Sequence, residues 1–239
     1  MYQLTKFKKI KGLIHGISSK KDGNLSYNWG LKVEVLSSRK KFLKKLNISL
    51  NQCVTCALSH SIKIQKVTKK DQGKMLGNSP IQADALLTFE KDLYLFLLVG
   101  DYLPIIFFDP KKEILVLAHL GWKNTDKLFC KKIVRTLQKL GAKPEEILVG
   151  IGPGIHKSSY IKEKDIPDWG KFTQKISDTK TRIDLIGYNQ EQLLQIGVLA
   201  KNLEVSSIDT VKSQDFFSHW RAKRTKEPEG RFAMVVGML

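Results

Sequence analysis

The sequence predicts an α/β (α+β) fold built on mixed β-sheets, and three observations carry that prediction. Two apolar runs, Ile105 to Phe108 and Ile114 to Ala118, flank the turn formers Asp109-Pro110-Lys111-Lys112, which reads as a hairpin. Elsewhere apolar residues recur at helical spacing, so helices alternate with strands while hairpins interrupt the alternation, and a purely parallel sheet is excluded. No gap in the apolar patterning divides the 239 residues, whose 42% hydrophobic content supplies a substantial core, so 1–239 reads as one domain.

Taken in order, Leu13 to Ile17, with His15, opens as a short strand. It feeds the polar loop Ser18-Ser19-Lys20-Lys21-Asp22-Gly23-Asn24-Leu25-Ser26, either a surface connection or a phosphate- or sugar-binding element. A lysine-rich amphipathic helix spans Ser37 to Leu46, capped by Ser37 or Ser38, with Phe42, Leu43 and Leu46 inward. Cys53 to Val67 alternates as one strand that places Val54, Cys56, Leu58 and His60 on one face. Asp71 to Pro80 is a polar loop, and the strands Ala83 to Thr88 and Leu93 to Val99 lead into the hairpin. After Trp122 a helix fits Asn124 to Leu140: Asn124 or Thr125 caps it, Asp126 suits its first turn and Gly141 follows its end. Ile147 to Ile151 is a buried strand ending in Gly152-Pro153-Gly154, where a second backbone or a ligand can approach closely. Tyr160 to Ile166 continues the chain, Trp169 to Ser177 reads as a helix, and Asp184 to Leu203 holds the second long helix. The last strand runs from Arg231 to Met238.

Lysine and arginine number 41 against 23 acidic residues, a net charge of +18 that favours anionic partners such as phosphates and nucleic acid. The excess is mostly lysine spread along the chain, with no basic stripe interleaved with aromatics, and reads first as solvated faces. No stretch approaches the roughly 20 apolar residues of a membrane span, and the N-terminus lacks a signal-peptide core, so the expectation is a cytoplasmic protein with no membrane partner. Cys53, Cys56 and Cys130 form no disulfide framework, and Cys53-Val54-Thr55-Cys56 lacks the second pair of a metal knuckle. The oligomeric state is left open.

The hairpin sets the outer ends of its two runs side by side, which gathers Asp101, Tyr102 and His119 at one rim of a sheet. His60, His119 and His219 are the candidates for chemistry; His60 and His119 each end a predicted strand and can converge. Two histidines, a third donor and an open position make a catalytic zinc pattern, in which the metal activates water or polarises a leaving group. HExxH, G-x-S-x-G, P-loop and Rossmann fingerprints are absent.

At this point five ordered segments resemble one family: ADALLT at Ala83, GDYLP at Gly100, HLGWKN at His119, GIGPGIHKSSY at Gly150 and FFSHWR from Phe216. They are similar to the A-D-A-L-V-T, T-A-D-C-x-P, H-A-G-W-R-G, I-G-P-x-I-x-x-x-x-Y and F-F-S-Y-R-R signatures of the laccase-domain or polyphenol oxidase (YfiH-like) family. That group is also described as purine nucleoside phosphorylases and peptidoglycan editing factors. The resemblance covers essentially the whole chain. It implies a layered sandwich of mixed β-sheets flanked by helices and a zinc site of histidine, cysteine and histidine, with the histidines falling on His60 and His119. It also implies phosphorolysis of adenosine and inosine to base and ribose 1-phosphate, with adenosine deamination alongside. The copper-dependent phenol oxidation that the family label suggests needs several histidine-rich copper sites, and this chain has five histidines.

The departures fall on the site. The family cysteine is replaced by Tyr102, the H-A-G-W-R-G arginine by Lys123 and its last glycine by Asn124; the arginine of the first loop becomes Lys20 or Lys21. A lysine keeps the charge but loses the bidentate fork that grips phosphate or sugar oxygens. Cys56 shares a strand face with His60, but a spacing of four puts them about 13 Å apart along a strand, which argues against it as a substitute thiolate. The expected roles are therefore metal ligation by His60 and His119 with Tyr102 in the cysteine position, and ligand orientation or proton relay by Asp101. Lys20, Lys123 and Arg221 are expected to hold anionic oxygens and Ser218 to touch substrate. A nucleoside and phosphate are the expected small-molecule partners. The alternatives are a catalytically silent nucleoside- or partner-binding protein and a basic nucleic-acid-binding protein.

Overall fold

Both sides of the central hairpin are apolar, and that dictates layers on either side of it. The computed structural model describes residues 1–73, 81–163 and 166–239. Most of the 71–80 loop, and two residues of the 160–166 stretch, lie outside the described residues. The strands are β1 (Leu13–Ile17), β2 (Cys53–Ala57), β3 (Ile64–Lys66), β4 (Ile81–Gln82), β5 (Ala85–Thr88), β6 (Tyr94–Val99) and β7 (Leu103–Asp109). They continue as β8 (Ile114–Leu120), β9 (Leu148–Ile151), β10 (Ile161–Lys162), β11 (Thr173–Ser177), β12 (Lys180–Ile183), β13 (Leu203–Val205) and β14 (Phe232–Met238). The helices are α1 (Lys32–Lys44), α2 (Trp122–Asp126), α3 (Phe129–Lys139), α4 (Leu185–Gln195) and α5 (His219–Thr225).

A six-stranded sheet in the order β13-β9-β7-β8-β5-β3 stacks on a five-stranded sheet, β1-β14-β6-β2-β4. Strand residues point alternately to the two faces, so Ile106 and Phe108 of β7 meet Leu95, Leu97 and Met234 of the facing sheet. Their neighbours Ile105 and Phe107 point the other way, onto Ile133, Val134 and Leu137 of α3 and Leu185 and Leu193 of α4. On the far side, Phe96 and Val235 pack on Phe42 and Leu43 of α1. The layers thus run helix, sheet, sheet, helix, and every residue of β7, β8 and β14 is buried, as strands covered on both faces must be. A small sheet, β10-β12-β11, stands apart from these layers. The expected mixed-sheet sandwich is the observed one.

Five predicted elements are redrawn. The 53–67 strand breaks after Ala57 and resumes at Ile64, because the Asp84 carboxylate takes the backbone N–H groups of Ser59, His60 and Ser61 out of any ladder and His60 adopts φ 54°. The 124–140 helix splits at Leu128 (φ 56°), where the Thr125 carbonyl accepts both the Leu128 N–H, closing a tighter turn, and the Gln192 side chain, each at 3.0 Å. The 169–177 segment is a short turn at Gly170 (φ 59°) followed by β11, whose Gln174 and Lys175 pair with Arg182 and Thr181. The second long helix stops at Gln195; Gly197 (φ 100°) turns the chain, and Leu203 to Val205 pair parallel to β9. α1 starts at Lys32, ahead of Ser37, because Val35 and a buried Arg39 extend the inward stripe of Phe42 and Leu43 upstream.

The first strand carries a pH-dependent element of stability. His15 is 1% exposed and its Nε2 accepts the Leu4 N–H at 2.8 Å, so the ring is held neutral; burial pushes its pKa down to about 4. Between pH 6.5 and 4 the unfolded chain therefore binds a proton that the folded one refuses, and stability falls as pH drops through that window, by about 3 kcal/mol. Urea titrations across pH 7 to 4 should show this slope in the wild type and its loss in His15→Gln. An unchanged slope would place its source elsewhere.

Candidate active site

The site grows from the register of the hairpin. Pro104 pairs with His119 across β7 and β8, which sets Tyr102, just before β7, beside His119 at the end of β8. The break after β2 brings in His60. The three rings form a triangle, with centroids 5.4 Å apart for His60–His119, 5.6 Å for Tyr102–His119 and 5.9 Å for His60–Tyr102. Of the three residues expected at this rim, Tyr102 and His119 stand side by side with His60 against them, while Asp101 turns to the C-terminal segment.

Sequence reading missed the residue that organises them. Asp84, fully buried at the entrance to β5, accepts six hydrogen bonds. Ser59 and Ser61 each give it a backbone N–H and a hydroxyl, His60 gives its backbone N–H, and His119 Nδ1 lies 3.3 Å away. Burial alone would raise this carboxyl, but the donors of His119 and Ser61 outweigh it and hold it ionised down to about pH 2. An ionised Asp84 requires the His119 Nδ1–H tautomer, which leaves Nε2 as the acceptor on the side away from Asp84. The signal that pointed to Asp84 was an acid between two alanines at the head of an apolar strand.

Around this triangle lie further aromatic and cationic groups. Tyr160 OH donates to Tyr102 OH at 3.4 Å, and the Tyr160 ring meets Trp220 edge-on at 5.5 Å. The Tyr102 ring lies so close to Gly121 that a Cβ there would come within 2.6 Å of it, so this glycine is a packing requirement. Burial pushes the Tyr102 phenol above its ordinary range, and the nearby Asp101 adds to the shift. Lys123 and Lys162 place their ammonium groups 5.8 and 4.3 Å from the Trp122 ring centre. The His60 imidazole is pushed down in pKa by burial first, then by His119 and these two lysines, against the pull of Asp84.

Several expected roles move. Asp101 accepts from the Thr210 hydroxyl and the Trp220 N–H, both at 2.7 Å, and so fastens the C-terminal segment to the start of β7 rather than orienting either histidine. Arg221 directs its guanidinium to Glu227 and to the carbonyls of Thr210, Val211, Ser213 and Phe216, which makes it a brace of this segment rather than a holder of a substrate anion. Ser218 caps α5 by accepting the Arg221 N–H and is 3% exposed, which makes it a framework residue. Lys20 sits 3.6 Å from Glu227 and over the Phe217 ring. Its loop is a structural turn, closed by Asp22 on Ser19 and Lys45. His219 bonds Glu229 at 2.7 Å. Burial first, and then Asp84, push the Cys56 thiol up to about 12, which keeps it protonated at neutral pH in the metal-free protein. Gly154 serves close backbone approach, its absent Cβ lying 3.1 Å from the Asp101 carbonyl.

Among the described residues, one group of three potential ligands stands close enough to hold a metal ion: His60, Asp84 and His119, with donor atoms within 4.8 Å of one another. The chemistry of this set does not fit a resident zinc or copper ion. Catalytic zinc takes three protein ligands, and Asp84 has both oxygens committed to six donors, in the way a carboxylate backs a histidine rather than binds an ion. That leaves two imidazoles and a partly buried phenol.

The chain is 28% identical to "Purine nucleoside phosphorylase YlmD" of Bacillus subtilis over 95% of its own length and 89% of that protein's. It is 30% identical to the protein of the same name from Geobacillus stearothermophilus, covering 95% and 90%. Among solved structures, that of the Bacillus licheniformis hypothetical protein YfiH superposes with a TM-score of 0.87 at 26% identity, over 95% of this chain and 93% of that one. No helix of the described residues is long and apolar enough to cross a membrane. Residues 13–239 match the family described as multi-copper polyphenol oxidoreductase laccase, and the chain belongs to it.

Proposed function

We propose that this protein is a purine nucleoside phosphorylase-type enzyme that converts adenosine or inosine and phosphate to the free base and ribose 1-phosphate. The observation that carries the reading is the Asp84–His119 pair, locked at the rim of the sheet next to His60 and Tyr102. Phosphorolysis breaks the bond from the sugar C1′ to the base nitrogen, forms a bond from C1′ to a phosphate oxygen, and delivers a proton to the departing base. His119 Nε2, with Asp84 stabilising the cationic ring behind it, is the group able to carry that proton. The rings of Trp122 and Tyr102 offer flat apolar surface for a base. Lys123 and Lys162, whose charge reaches His60, supply the positive field that phosphate requires. The names of the relatives support the same reading.

The test is to incubate the purified protein with adenosine, with and without phosphate, and to separate adenine, hypoxanthine and inosine by chromatography. Phosphate-dependent adenine is the expected result. Inosine formed without phosphate would shift the assignment to deamination, and no turnover of adenosine would leave a binding protein.

A further inference from the structure

We propose that this site works without a resident zinc ion and that Tyr102 is the residue that closes it to the metal. Three features of the donor set lead there. Two imidazoles face a common space, but the third corner of the triangle is a phenol, a far poorer neutral donor for zinc than a thiolate or imidazole. The one carboxylate within reach cannot turn to an ion without abandoning the N–H groups of Ser59, His60 and Ser61 that shape the loop carrying His60. The phenol is also fixed in place: its ring is seated on Gly121, its oxygen accepts from Tyr160, and Tyr160 is in turn packed against Trp220. Tyr102 therefore cannot swing aside to admit an ion and its water. In place of a Lewis acid the site holds a hydroxyl that, accepting from Tyr160, keeps its own proton for a substrate acceptor. A smaller, softer side chain at this corner would convert the triangle into a three-ligand site, because His119 is already oriented by a carboxylate as zinc-bound histidines are.

The measurement reads metal and stands apart from whether any nucleoside is turned over. Wild type, Tyr102→Cys and Tyr102→Cys/His119→Ala are expressed in zinc-supplemented medium, dialysed, and assayed for metal by inductively coupled plasma mass spectrometry, with affinities taken by competition against a chromophoric chelator. The expected result is below about 0.1 zinc per chain for the wild type, about 1 for Tyr102→Cys with at least about 100-fold tighter binding, and loss again in the double variant. A wild-type protein that keeps about one zinc per chain through dialysis, and loses it in His60→Ala or His119→Ala, overturns the proposal. A Tyr102→Cys protein that is folded by circular dichroism yet zinc-free overturns the role given to Tyr102. Should that variant fail to fold, the wild-type zinc content and affinity still decide the first half.

Discussion

Asp84→Ala should cost about 3–5 kcal/mol of stability, while Asp84→Asn should keep most of the fold and lose about 1,000-fold or more in turnover. The alanine variant leaves six donors facing an apolar hole at a fully buried position. Each buried unsatisfied group costs about 1–3 kcal/mol, although water reaching the exposed Ser59–His60 turn recovers part of that. Asparagine is the sharper probe. Its one acceptor oxygen will take the Oδ2 position, where Ser61 N–H approaches at 2.7 Å and both hydroxyls gather. The amide NH₂ then faces His119 Nδ1 and forces the proton to Nε2. The imidazole still sits in place, but in the wrong tautomer and without its counter-charge, so it no longer serves as proton carrier. Denaturant titration and steady-state turnover of the two variants check this. Wild-type turnover in Asp84→Asn would remove His119 from the chemistry as described.

That residue also marks the limit of what the chain discloses by its letters. The hairpin, its rim and the pairing of Tyr102 with His119 were legible because branched and aromatic runs around Asp109-Pro110 admit one register, and register then dictates which rim residues meet. His60 meets His119, but not for the reason the sequence suggested. Period-two alternation carried it along a strand, whereas it reaches the site because the strand ends and Asp84 folds the loop by its N–H groups. Such capture is a long-range effect between residues 23 to 25 positions apart, and no local propensity encodes it. The same blindness produced the overlong helices. Gln192 reaching the Thr125 carbonyl, and β9 offering an edge to Leu203, are tertiary events that override helical periodicity. Charge misled in the opposite direction. Arg221 read as a substrate-facing cation, and the lysine-rich helix that carries Arg39 read with only Phe42, Leu43 and Leu46 inward; both arginines are interior braces, because a guanidinium that satisfies enough carbonyls can be buried.

Arg221→Ala should destabilise the protein by about 3–5 kcal/mol, and Arg221→Lys should recover less than half of that loss. The guanidinium is 8% exposed and makes five hydrogen bonds: Nε to Glu227 at 2.7 Å, Nη1 to the Thr210, Val211 and Ser213 carbonyls, and Nη2 to the Phe216 carbonyl. These carbonyls belong to irregular backbone that has no ladder to join, so Arg221 stands in for the missing secondary structure from Thr210 to Phe216. A lysine presents three donors from one point and cannot span partners that lie on opposite sides of the guanidinium fork. The loss should also reach the active rim. Thr210 and Trp220 hold Asp101, and Asp101 precedes Tyr102, so loosening this segment shifts the third corner of the triangle. A residue that bound substrate phosphate would behave differently: its lysine variant would raise the KM for phosphate at unchanged stability. Thermal denaturation together with KM and kcat therefore separates the two roles. A lysine variant within about 0.5 kcal/mol of wild type, with a raised phosphate KM, would return Arg221 to the substrate.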